Sequence, residues 1–173
     1  MSSDTEKFAN AVLNAEAWLR QAEQFYFAAE HISSAIRLDG SRTSTDGLAL
    51  SVGALKATLL LLAFAVENAL KSVKAKKGML RVYKGQIQGL GGKGGHDLPV
   101  LADEAGIELS AEESRLLRRL TKIGKWAGRY QQPRDVEEFM LAQTDNPRRI
   151  TLPSDFDIAN RLIARVKEVV EGV

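Results

Sequence analysis

Between Ser114 and Tyr130 the chain reads SRLLRRLTKIGKWAGRY. Arg115, Arg118, Lys122, Lys125 and Arg129 recur at alternating spacings of three and four. At about 100° per residue they share one helix face, with Arg119 on its flank. Leu116, Leu120, Ile123 and Ala127 fall on the opposite face, and no acidic residue interrupts the stripe from Arg115 to Arg129. Trp126 falls within the basic arc and Tyr130 closes it, which adds flat aromatic surface to the row of cations. Such a ridge can hold a phosphate backbone while an aromatic ring stacks a base. The competing reading is a solvated face whose cations pair with acids on a neighbouring helix or with an acidic protein.

A second stretch, QGLGGKGGHDLPVL (88–101), sets Gly89, Gly91 and Gly94 at G-x-G-x-x-G spacing. A dinucleotide site needs a strand before those glycines, and no strand pattern precedes them. Lys93 does not complete a phosphate-binding loop either, because Ile87 stands where the first glycine belongs and Gly94 where Ser or Thr belongs. The stretch therefore reads as a connector. His96 and Asp97 read as a helix cap, since nothing in the local sequence supplies His96 with a nucleophile or an orienting partner. Glu67 and Lys71, four apart, read as an ordinary surface pair, or with Asn68 as a polar cluster facing a cleft or an interface. The chain has no cysteine and only two histidines, His31 and His96. Thiolate sites, disulfides and multi-histidine metal sites are thus excluded, and no cofactor is expected. G-x-S-x-G and H-E-x-x-H are also absent.

The elements that must carry these residues are helical. The chain has 173 residues with 45% hydrophobic content, enough for one domain spanning 1–173, and its net charge of +2 confines any attraction for polyanions to a local patch. Phe8, Val12, Ala15, Leu19, Ala22, Tyr26, Ala29 and Ile36 predict one long helix from Glu6 to Leu38. Val52, Leu55, Leu59, Leu62, Val66, Leu70 and Val73 mark a second, from about Thr45 to Lys77. Residues 48–70 are long enough to span a bilayer, but Lys56 interrupts them, so the stretch is expected to be a core helix. Asp97 to Gly106 predicts a short third helix, and Ser110 with Glu113 forms a capping box opening a fourth that runs to Gly128. DVEEFMLAQ reads as an extra turn or two, NPRRITLPSD as extended, and Asp155–Glu171 as the last helix, with Ile158, Leu162, Val166 and Val169 or Val170 inward. The expected fold is all-α, an up-and-down bundle of four to five helices with a glycine-rich loop between the second and third. The polar N-terminus MSSDTEKFAN does not read as a secretory signal, which makes the cytoplasm the expected location.

ENALKSVKA, GHDLPVLADEAGIELSAEE, WAGRYQQP and FDIANRLIARVKEVV, taken in this order, resemble the HEPN domain, the higher eukaryote and prokaryote nucleotide-binding family of helical bundles. The resemblance implies a homodimer with a groove at the subunit junction. It also implies a metal-independent ribonuclease, a toxin paired with a nucleotidyltransferase, or a non-catalytic RNA-binding module. The family's ribonuclease signature is an arginine followed after four to six residues by a histidine. Arg129 resembles that arginine, but Arg134, Asp135 and Val136 occupy the histidine positions. The expectation is a non-catalytic RNA- or phosphate-binding protein acting through Arg115, Arg118, Arg119, Lys122, Lys125, Trp126, Arg129 and Tyr130. The alternatives are a nucleotidyltransferase partner subunit and an unorthodox ribonuclease in which His96 approaches Arg129. The segment from Gln131 to Pro153 has the length of a lid or an interface arm.

Overall fold

Asn14 divides the first expected helix into two. In the computed structural model, which describes residues 3–38, 45–90, 95–128, 133, 136–144, 147, 151 and 153–172, these are α1 (Ser3–Leu13) and α2 (Ala15–Leu38). The Asn14 side-chain oxygen accepts from the Ala17 amide at 2.9 Å, a cap that starts α2 afresh. The Trp18 indole reaches back across the break and donates to the Val12 carbonyl at 2.8 Å. Hydrophobic spacing alone does not reveal this break, because the apolar stripe keeps its phase through it. Val12, Leu19, Ala22, Tyr26 and Ala29 are all buried.

The helix α3 (Thr45–Lys76) is the centre of the bundle. Leu59, Leu62, Val66, Leu70 and Val73 are wholly buried, with α2 against it and the helices over Leu98–Ala105, Ala111–Lys122 and Ser154–Glu171 packed on it. The stripe outruns that cover at the other end, where Leu48 and Val52 are exposed. Among the described residues α3 is the one helix apolar and long enough to cross a membrane. Its buried C-terminal half is compatible equally with the core of a soluble bundle.

Beyond α3 the chain forms a hairpin where sequence spacing shows no strand: β1 (Arg81–Tyr83) pairs antiparallel with β2 (Gln86–Gln88), Val82 opposite Ile87. Lys84 and Gly85 turn it with φ of 50° and 72°, the doubly positive pattern of a type I′ turn. Val82 and Ile87 pack on Val12, Ala75 and Leu80, a small core separate from the main one. Gly89 leaves the hairpin at a close approach, since a Cβ there would lie 2.2 Å from the Met79 carbonyl oxygen. The glycine spacing thus has one packing explanation at Gly89; Gly91, Gly92, Lys93 and Gly94 lie outside the described residues.

The remaining helices are α4 (Leu98–Ala105), α5 (Ala111–Lys122), α6 (Val136–Thr144) and α7 (Ser154–Glu171). Asp97 caps α4, Gly106 ends it at φ 66°, and the Ser110–Glu113 capping box opens α5, all as the sequence predicts. After Lys122 the winding changes. Ile123–Ala127 form a π turn, closed by the Gly128 amide donating to the Ile123 carbonyl at 3.0 Å. On α7 the open choice resolves to Val170, which is buried while Val169 is exposed. The protein is an all-α bundle, with the first predicted helix split and α6 formed where DVEEFMLAQ reads as an extra turn or two. Most of NPRRITLPSD lies outside the described residues.

Candidate functional site

The basic face of α5 is real but narrower than its sequence. Arg115 and Arg118 are exposed and have no ion-pair partner among the described residues, and Lys122 is half-buried. Lys125 lies 3.5 Å from Asp97 at the start of α4. Arg119 is committed elsewhere: it donates to the Asp155 carboxylate at 2.5 Å, whose other oxygen accepts from the Thr151 amide at 2.7 Å. This pair clamps α7 (Ser154–Glu171) to α5 and engages the Arg119 guanidinium. Between these helices an open groove of about 240 Å³ is lined by Arg115, Arg119, Glu112, Asp155, Thr151 and Ser154. The two acids make it a mixed groove, so the positive surface is the outer ridge rather than this cleft.

Trp126 departs furthest from expectation. It is 2% exposed and belongs to the main core, so its ring offers no stacking surface. The last turn is covered on most of its sides, since Ile123, Gly124, Trp126 and Ala127 are all buried, so position on a wheel does not decide exposure there. The indole's large apolar area also favours burial wherever the chain can cover it. Arg129 and Tyr130 lie outside the described residues.

A second cluster forms where no local sequence pattern marks it. Glu67 and Lys71 are buried on α3 instead of lying on the surface, and they are ion-paired with each other. The Lys71 ammonium sits 5.7 Å over the Trp18 ring. The other Glu67 oxygen meets His96 Nδ1 at 2.9 Å. A carboxylate accepts, so the imidazole donates through Nδ1 and is held in position, with Nε2 on the side away from Glu67. The ring is 44% exposed, so a solute can reach it. Only Asp97 therefore acts as the cap of α4, while His96 pairs with a carboxylate 29 residues earlier in the chain. Sequence spacing missed that partner because contact between distant segments follows from packing. The only local signal was Glu67 itself, an acid at the edge of an apolar helix. The Lys125–Asp97 pair joins the two clusters, placing the residue beside His96 within reach of the basic ridge.

Among the described residues no group of three histidine, aspartate or glutamate side chains gathers to hold a metal ion. Comparison with family models, curated proteins and solved structures finds no match to this chain.

Proposed function

We propose that this chain is a HEPN-like helical protein that binds RNA, or another ligand rich in phosphate, along the outer ridge of α5. The observation that carries the reading is the exposure of Arg115 and Arg118 on a helix segment free of acidic residues. Lys122 and Lys125 extend the ridge toward His96. Phosphate binding by such a ridge releases counterions and is therefore salt-dependent. The test is anisotropy of a labelled single-stranded RNA at low and physiological salt. Parent protein should bind saturably, and Arg115→Glu with Arg118→Glu should weaken that binding and lower its salt dependence while circular dichroism stays unchanged. Absence of binding at low salt overturns the reading and turns the ridge into a surface for a protein partner, the nucleotidyltransferase type first among them.

The Glu67–His96 contact favours a second reading, in which the bound RNA is also cleaved. His96 Nε2 would take the proton of a 2′-hydroxyl, whose oxygen attacks the adjacent phosphorus as the bond to the 5′-oxygen breaks. The leaving oxygen takes a proton from water, and the products are a 2′,3′-cyclic phosphate and a 5′-hydroxyl end. His96→Ala should abolish cyclic-phosphate product while leaving RNA affinity unchanged. Intact RNA after prolonged incubation with parent protein removes this reading and leaves the binding one standing.

The same proposal includes a cytoplasmic homodimer. Its support is the line Leu48–Val52 on α3, apolar and uncovered where the stripe leaves the bundle.

A further inference from the structure

The hairpin after α3 has two unlike faces. Val82 and Ile87 turn inward onto the small core, so the alternation of a strand turns Arg81, Tyr83, Gln86 and Gln88 outward. Across the ladder Arg81 stands opposite Gln88 and Tyr83 opposite Gln86, and all four are exposed. Tyr83 is 63% exposed. Lys84, at the turn, holds its ammonium 5.4 Å from the Tyr83 ring centroid.

Charge along this part of the chain has one sign. From Asn68 to His96 there is no acidic residue, while Lys76, Arg81 and Lys84 are exposed. Lys84 also sits at a positive φ of 50°, where asparagine is the cheaper residue before glycine. A lysine there costs conformational energy and places a cation at the tip of the hairpin. The face therefore combines cations for phosphates, a ring for stacking and two amides that can meet base edges. It lies on a different part of the fold from the α5 ridge: β1 packs on α1, whereas α5 packs on α3 and α7.

We infer that the outer face of this hairpin is a binding surface for single-stranded nucleic acid, stacking an unpaired base on Tyr83 with the flanking phosphates on Arg81 and Lys84. A polyanion complements the two cations of this face, and the bare ring selects a strand whose bases are unpaired. The inference stands on its own residues and holds whether or not the α5 ridge binds.

The experiment titrates a labelled oligouridylate, and a labelled abasic phosphodiester chain of equal length, with full-length parent protein, Tyr83→Ala, Lys84→Asn and the α5 double variant. Tyr83→Ala should weaken oligouridylate binding at least about fivefold, the scale of one lost base stack, and leave abasic binding unchanged. Lys84→Asn forms the preferred Asn-Gly turn, so the hairpin keeps its shape. It should lower the salt slope by about 0.7 for the one phosphate contact removed. Oligouridylate binding equal to the parent's in Tyr83→Ala overturns the inference, whatever Lys84→Asn does. Absence of binding by the parent overturns both this inference and the α5 reading. Loss confined to the α5 variant leaves that reading intact and removes this one. Loss confined to the hairpin variants does the reverse.

Discussion

Glu67 holds a lysine with one oxygen and a histidine with the other while almost wholly buried. Burial makes that carboxylate costly to remove, because Lys71 is then left as a buried charge without its counterion. Glu67→Ala should lose about 3–5 kcal/mol in urea denaturation, the range for breaking a buried pair. Replacing both partners, as Glu67→Leu with Lys71→Met, should recover most of that loss. A double variant as unstable as the single one would show that the pair contributes packing rather than charge. Tyr26 gives a residue-scale prediction in pH. Burial disfavours its phenolate, and Glu30 and Asp157 add negative charge nearby, so its pKa is raised above the usual value near 10. Folded protein then keeps a proton that the unfolded chain releases. The associated stability is complete below about pH 10 and is lost as pH rises through the raised value. Stability measured across this alkaline range should fall less in Tyr26→Phe than in the parent, and equal slopes would refute the assignment. At this scale the sequence shows the Glu67–Lys71 spacing but not that His96 completes it.

Elements were legible where their signals are local. The Ser110 hydroxyl accepts from the Glu113 amide at 3.2 Å, and the Glu113 carboxylate accepts from the Ser110 amide at 2.8 Å. Four residues of sequence contain that whole device, as they contain the Asp97 cap. Ser110→Ala should accordingly cost about 1 kcal/mol in thermal or denaturant unfolding, the usual loss for a missing cap. A cost near zero would mean that packing alone holds the start of α5. Arg165 also donates to Glu113, at 2.9 Å, so Glu113→Ala should cost more than Ser110→Ala. The misread elements have the opposite character. Three-residue strands are too short to display an alternation, and the Lys84–Gly85 turn lacks the asparagine that would have announced it. The break at Asn14 leaves the hydrophobic phase intact. Trp126 is buried although it shares the basic arc, because the bundle covers the last turn of the helix on most of its sides, which local sequence does not display.

At the scale of the whole molecule, the apolar stripe of α3 is longer than the bundle that covers it. Leu48, Val52, Leu55 and Leu59 follow one another at helical spacing, from 62% exposed at Leu48 and 44% at Val52 to 0% at Leu59. The period of the stripe does not distinguish the covered part from the bare one, because both repeat alike. The extent of α2, α4, α5 and α7 decides where cover ends. Uncovered leucine and valine cost about 1.5–3 kcal/mol each relative to burial, so a partner that covers them gains stability in proportion. Within the proposed homodimer that partner is the same line on a second chain, and the two copies would lose their exposed apolar area together. Light scattering with sedimentation velocity should give twice the 19.0 kDa chain mass for the parent protein. Leu48→Glu with Val52→Glu should return the mass to that of one chain with the helical signal unchanged, since neither side chain belongs to the buried core. A parent of single-chain mass at concentrations well above those used for binding would remove the homodimer. RNA binding by the α5 ridge and the hairpin would then be a property of one chain, and their salt slopes would report one set of contacts rather than two.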